Sequence, residues 1–243
     1  MIVPAVLIGM AVLTAASSKA YGQTPAKSPA AVTDTVRQLS PDALAKSDAE
    51  AEKKAADWIG SLQLHDAGKE TRLTAVVSIH LKAVRDWNNT HPYTTVPAGI
   101  DPTTGKPLST MDRTIIANSA MPHSVHEDLM AGLRKDLTEE QVGVILDKYT
   151  IGKVAFTMSG YKAIVPDLTP QEEAAILANL QQAREQAVDF KNAKQISAIF
   201  EIYKTKNEQY LNTTGRNWHA LFKAYVDAQK AKKAAAAADK PAK

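Results

Sequence analysis

Cysteine is absent from this 243-residue sequence, which removes disulfides, thiol nucleophiles and thiolate metal sites together. Aromatic residues are scarce, at 6% against 44% hydrophobic residues overall. A sheet protein draws on Val, Ile, Tyr, Phe and Thr, whereas an alanine-rich, ring-poor chain suits helices that approach one another closely. The expected fold is therefore all-α, an irregular bundle of about six to eight amphipathic helices. Neither sign of charge dominates: 29 Lys and Arg stand against 26 Asp and Glu, a net +3 that becomes +2 without Lys19. That balance excludes the concentrated basic face of a nucleic-acid binder. The one basic cluster, Lys230, Lys232, Lys233, Lys240 and Lys243, is diluted by alanines and reads as a solvated terminus.

Long apolar runs are also missing after the first. Ile2 to Ala16 is apolar but short for a membrane span, and Ala20, Tyr21 and Gly22 offer a small-x-small cleavage site. Residues 1–22 are thus expected to be a signal peptide, and the mature protein to be periplasmic or secreted, with no membrane segment after cleavage. Residues 23–40, rich in Pro, Ala, Ser and Thr, read as a flexible leader. A single helical domain is expected over 41–228, followed by an Ala/Lys-rich tail over 229–243. No nucleophile-elbow serine motif, phosphate-cradling glycine loop or dinucleotide fingerprint is present. No cofactor is expected, and whether the chain is an enzyme stays open.

Ser40-Pro41-Asp42 supplies an N-cap, a first-position proline and an early acid, so a helix is expected over about 41–62. Asp66 caps a second, to about 89, whose apolar stripe is Leu73, Val76, Val77, His80, Val84 and Trp87. Residues 92–108 hold four Pro and two Gly and form a long loop. Helical pattern resumes near Ser109, breaks at Pro122, and continues with Val125, Leu129 and Leu133. Thr138 with Gln141, and Thr169 with Glu172, are capping boxes that open further helices. Residues 150–157 are the one strand-like piece, with no evident partner; they read as an extended connector before a short helix near 158–164. Helices over about 193–212 and from Arg216 complete the chain, with Gly215 supplying a left-handed cap between them.

The polar residues allow few chemistries. His123, His126 and Glu127 could gather on one helical turn as zinc-type ligands, but their order differs from the zinc-protease signatures and no further ligand follows from spacing. They read as a surface helix with incidental histidines, and no metal is expected. His80, on its apolar stripe, reads as a satisfied core histidine. Arg184, Glu185 and Asp189 read as a solvated network. Arg85, Asp86, Asn88 and His91 crowd the end of the second helix beside Tyr93 and Asp101. The plainer reading there is helix capping and a surface ion pair. The alternative is a sugar site, where rings stack on pyranose faces while amides, guanidinium and carboxylates read hydroxyls.

From about residue 57 the chain resembles the exported bacterial family catalogued as domain of unknown function 3826. The resemblance is carried by Trp58 to Lys69, Arg85 to His91, Val125-His126 and Leu137 to Gln141. It continues through Tyr149-Thr150-Ile151-Gly152, Tyr161-Lys162, Pro166, Leu168 to Pro170 and Ala183 to Asp189, and closes with Tyr203-Lys204, Tyr210-Leu211 and Gly215. It implies a secreted helical domain with a carbohydrate as ligand and no established catalytic residues. The polar positions that match its pattern are Arg85, Asp86, Asn88, His91, His126, Tyr149, Arg184 and Asp189, and of these Arg85, Asn88, His91, His126, Tyr149 and Arg184 are nominated for ligand binding. A periplasmic helical chaperone or scaffold is the alternative, since the two Leu-Thr helix starts resemble those of periplasmic stress chaperones. An enzyme using His91 and His126 is the second alternative.

Overall fold

A computed structural model describes residues 38–238. The expected signal peptide, most of the expected leader and the last five tail residues lie outside the described residues. Among the described residues stand nine α-helices and one 3-10 turn, an irregular all-α bundle with one helix more than the upper expected count. The α-helices are α1 (Pro41–Gly60), α2 (Ala67–Thr90), α3 (Thr110–Ser119), α4 (His123–Asp136), α5 (Glu139–Tyr149), α6 (Lys153–Ile164), α7 (Pro170–Ala187), α8 (Ala193–Thr213) and α9 (Trp218–Ala238).

The helix starts follow local chemistry. Ser40 Oγ accepts the Ala43 amide, and the Asp66 carboxylate accepts the Lys69 amide. Thr138 and Gln141 exchange both bonds of a capping box, as do Thr169 and Glu172. A third box, Ser109 with Asp112, opens α3.

Residues 150–157 do not form an extended connector. Ile151 (φ 58°) and Gly152 (φ 64°) are both left-handed, the Gly152 amide returns to the Asp147 carbonyl at 2.9 Å, and α6 begins at once at Lys153. Among the described residues the run has no strand to pair with, so its amides close a helix end. The loop over 92–108 is pinned by the 3-10 turn Tyr93–Thr95, a bridge between Ile100 and Pro107, and the Arg113 guanidinium on the Val96 carbonyl. Helix α9 runs unbroken past residue 228, exposed from Asp227 to Ala235.

Two apolar clusters hold the bundle. The first joins α1, α2, α4 and α5 through Ile59, Leu73, Val77, Leu129, Leu133 and Ile145. The second joins α6, α7 and α8 through Met158, Ile176, Leu180, Ile196, Phe200 and Leu211. Full burial of each such side chain stabilises the fold by roughly 1.5–3 kcal/mol. The chain crosses from one cluster to the other at the end of α7: Ala187 and Phe190 belong to the second and Val188 to the first. Asp189 lies in that turn.

Candidate functional site

Helix α2 points His80 inward because the stripe that buries Leu73, Val77 and Val84 includes it. The ring is enclosed, with a side chain 1% exposed, and it meets Tyr149 edge-on at 5.3 Å. Its Nε2 lies 2.9 Å from Asp189 Oδ1. From α4, His126 brings its Nδ1 to 2.9 Å from the other oxygen, Oδ2. One carboxylate therefore holds imidazoles from two helices. His80 Nδ1 is buried without a hydrogen-bond partner among the described residues. A proton there would be stranded at a cost of about 1–3 kcal/mol, so His80 carries its proton on Nε2 and donates to Asp189.

The electrostatics follow from this geometry. Burial pushes the Asp189 carboxyl up, but the hydrogen bonds from His126 and His80 outweigh it and hold the group below the usual range. The Asp189 hydrogen bond raises His126 above the ordinary imidazole value against the opposing effect of burial, and Glu185 adds to the rise. Burial, then the Asp189 charge, lifts the Tyr149 phenol well above its ordinary value, so it keeps its proton.

His126 is partly open, with a side chain 25% exposed, because it lines a cleft of about 460 Å³. The walls come from the α3–α4 junction (Asn118, Ser119, Met121, His123), from α7 (Gln182, Glu185, Gln186) with Asp189 and Phe190 beyond it, and from Tyr203 on α8. Glu185 Oε1 stands 3.8 Å from His126 Nε2 and 3.9 Å from Arg134 Nη2, so neither contact is a hydrogen bond. At the far wall, Lys206 sits over the Tyr203 ring and donates to Gln182 Oε1.

Of the residues nominated from sequence, His126 alone lines this cleft. Asn88 is one contact behind it, its Nδ2 donating to Asn118 Oδ1 at 3.2 Å. His91 stacks on Trp87 at 3.5 Å and turns its Nδ1 to the Trp87 carbonyl and the Thr90 hydroxyl, finishing α2. Arg85 is engaged with Asp48, Ser47 and Asp86 on the α1–α2 seam. Tyr149 is buried against Trp58 and His80, its hydroxyl 3.4 Å from the Val77 carbonyl. Arg184 reaches from α7 to α5, donating to the Gly143 carbonyl at 3.2 Å with Asp147 at 3.1 Å. The fold therefore does not gather His91 and His126 into one cleft. It gathers His126 with His80 and Glu185, which read as structural in the sequence, and with Asp189, which read as part of a solvated network although it matches the family pattern. Among the described residues no group of three or more His, Cys, Asp or Glu side chains is arranged so that it could hold a metal ion.

The fold and cleft define an all-α protein with a carboxylate-bridged histidine pair, one member of which, His126, lines a cleft. Over residues 48–231 the chain matches the family described as Protein of unknown function (DUF3826), and it belongs to that family. No curated protein matches it.

Proposed function

We propose that this chain is an exported, carbohydrate-associated binding protein whose ligand occupies the cleft beside His126. The observation that carries the reading is the lining. Gln182, Gln186 and Glu185 offer amide and carboxylate groups to hydroxyls, and the rings of Phe190 and Tyr203 offer apolar faces. A volume of about 460 Å³ is within the roughly 300–1,000 Å³ of small-ligand sites. No described helix is long and apolar enough to cross a bilayer.

Titration of the full chain with neutral oligosaccharides, followed by NMR shifts and calorimetry, tests the reading. Saturable binding that perturbs Gln186 and His126 and weakens at least tenfold in Gln186→Ala is the expected result. Absence of binding across xylo-, manno- and gluco-oligosaccharides would count decisively against it. The chaperone or scaffold alternative draws on exposed Ile79, Ile151, Phe156 and Ile202. These stand on α2, the α5–α6 turn, α6 and α8.

A further inference from the structure

We propose that the cleft hydrolyses an O-acyl ester carried by its carbohydrate ligand, with His126 as the proton-transfer catalyst and Asp189 and His80 as positioning residues. The inference rests on the binding reading above and adds a reaction to it.

The geometry separates the three roles. His126 Nδ1 is committed to Asp189 at 2.9 Å, which leaves Nε2 without a hydrogen bond, on the side of Glu185, another residue of the cleft wall. In the neutral ring this places the proton on Nδ1 and the free lone pair on Nε2, the form a general base needs. Each Asp189 oxygen is engaged by one imidazole, so the carboxylate orients and charge-compensates His126. His80 acts only through Asp189, from a fully enclosed position.

The same arrangement selects the reaction. Glycoside hydrolysis by the usual route needs two working carboxyl groups flanking the bond. The cleft has two, Asp189 and Glu185, and the first is locked between histidines. Ester hydrolysis needs one group that takes a proton during attack and returns it to the departing oxygen, which is imidazole chemistry. Ser119 lines the cleft but makes no hydrogen bond to His126, so the nucleophile is water. The water oxygen bonds to the acyl carbon while its proton passes to His126 Nε2. The tetrahedral adduct then collapses, the acyl carbon–oxygen bond to the sugar breaks, and His126 returns the proton to the sugar oxygen. The products are a carboxylic acid and a free sugar hydroxyl. The side-chain amides of Gln182 and Gln186 supply the donor type that stabilises the oxyanion.

The test uses the full chain with 4-nitrophenyl acetate and with acetylated xylo-, manno- and gluco-oligosaccharides, reading released acetate. The expected result is turnover that rises with pH through the His126 ionisation and falls at least 100-fold in His126→Gln, the low end for general-base catalysis. Asp189→Asn is expected to lower kcat with little change in KM. His80→Gln is expected to move the pH inflection while the fold, followed by thermal unfolding, persists. Wild-type release no faster than buffer overturns the inference without reliance on any variant. In that event, saturable binding of the deacetylated oligosaccharides leaves the binding reading standing, and absence of binding removes both.

Discussion

At Asp189 a carboxylate that burial alone would make easier to protonate is kept ionised by two imidazoles. Replacing it with Asn removes the charge and leaves His80 and His126 facing an amide. Hydrogen bonds to charged groups contribute about 1.5–3 kcal/mol each, so Asp189→Asn is expected to destabilise the fold by about 2 kcal/mol in denaturant unfolding. The same substitution is expected to bring the His126 pKa down toward the ordinary imidazole value, measured by NMR titration. Glu172 is the second charged residue of this kind. It closes the α7 capping box and is held by Arg216 at 2.7 and 2.8 Å, which, with the cap, depresses its carboxyl far below the usual range. Exposed pairs contribute at most about 1 kcal/mol and broken buried pairs cost about 3–5 kcal/mol. Arg216→Ala, between these limits, is expected to cost about 2 kcal/mol in chemical denaturation. The sequence foretold the Glu172 cap because its partner is three residues away. It could not foretell Asp189 as a ligand of His80 and His126, which lie 109 and 63 positions distant. The helical stripe shows that His80 faces inward, but not what it faces.

Helix α4 crosses α2 at Gly132, where a Cβ would stand 2.7 Å from both methyl carbons of Val76. In an exposed helix Gly→Ala gains up to about 1 kcal/mol. Here overpacking, typically about 1–3 kcal/mol, wins, and Gly132→Ala is expected to lower the thermal midpoint. The turn into α6 carries the opposite liability. Ile151 is 64% exposed and β-branched, yet held at φ 58°, a conformation that costs L-residues about 1–2 kcal/mol. Ile151→Gly is expected to stabilise the protein by about 1 kcal/mol in equilibrium unfolding. Element boundaries set by caps were legible in the sequence, as at Ser40, Asp66, Thr138 and Thr169. The α5–α6 turn was not, because Thr150, Ile151 and Val154 favour extended structure in isolation, and only the lack of a partner strand turns them into a helix junction.

Over the whole molecule, the linked groups set a pH window. Asp189 and Glu172 have depressed folded-state values, so their stabilisation is present above the ordinary carboxyl values of 3.8 and 4.5 and is lost as pH falls through the folded ones. His126 is raised, so its contribution is full below 6.5 and is lost as pH rises through its folded value. Stability is therefore expected to peak between about pH 5 and 6, the interval where all three contribute. Thermal unfolding from pH 3 to 9 checks this, with Glu172→Gln flattening the acid limb and His126→Gln the alkaline one. The all-α class was legible at this scale from ring scarcity and helix caps. The division into two cores was not, since hydrophobic periodicity marks inner faces without pairing them.

The passage of the chain from one core to the other has a consequence for chain length. Val188 faces one core, Phe190 the other, and Asp189 between them reaches both histidines. Adding or deleting one residue there would exchange which side chain meets which core and carry the carboxylate away from His80 and His126. Relatives of this chain should therefore vary freely in length across the surface loop at 92–108 and keep an unchanged count from Ala187 to Phe190.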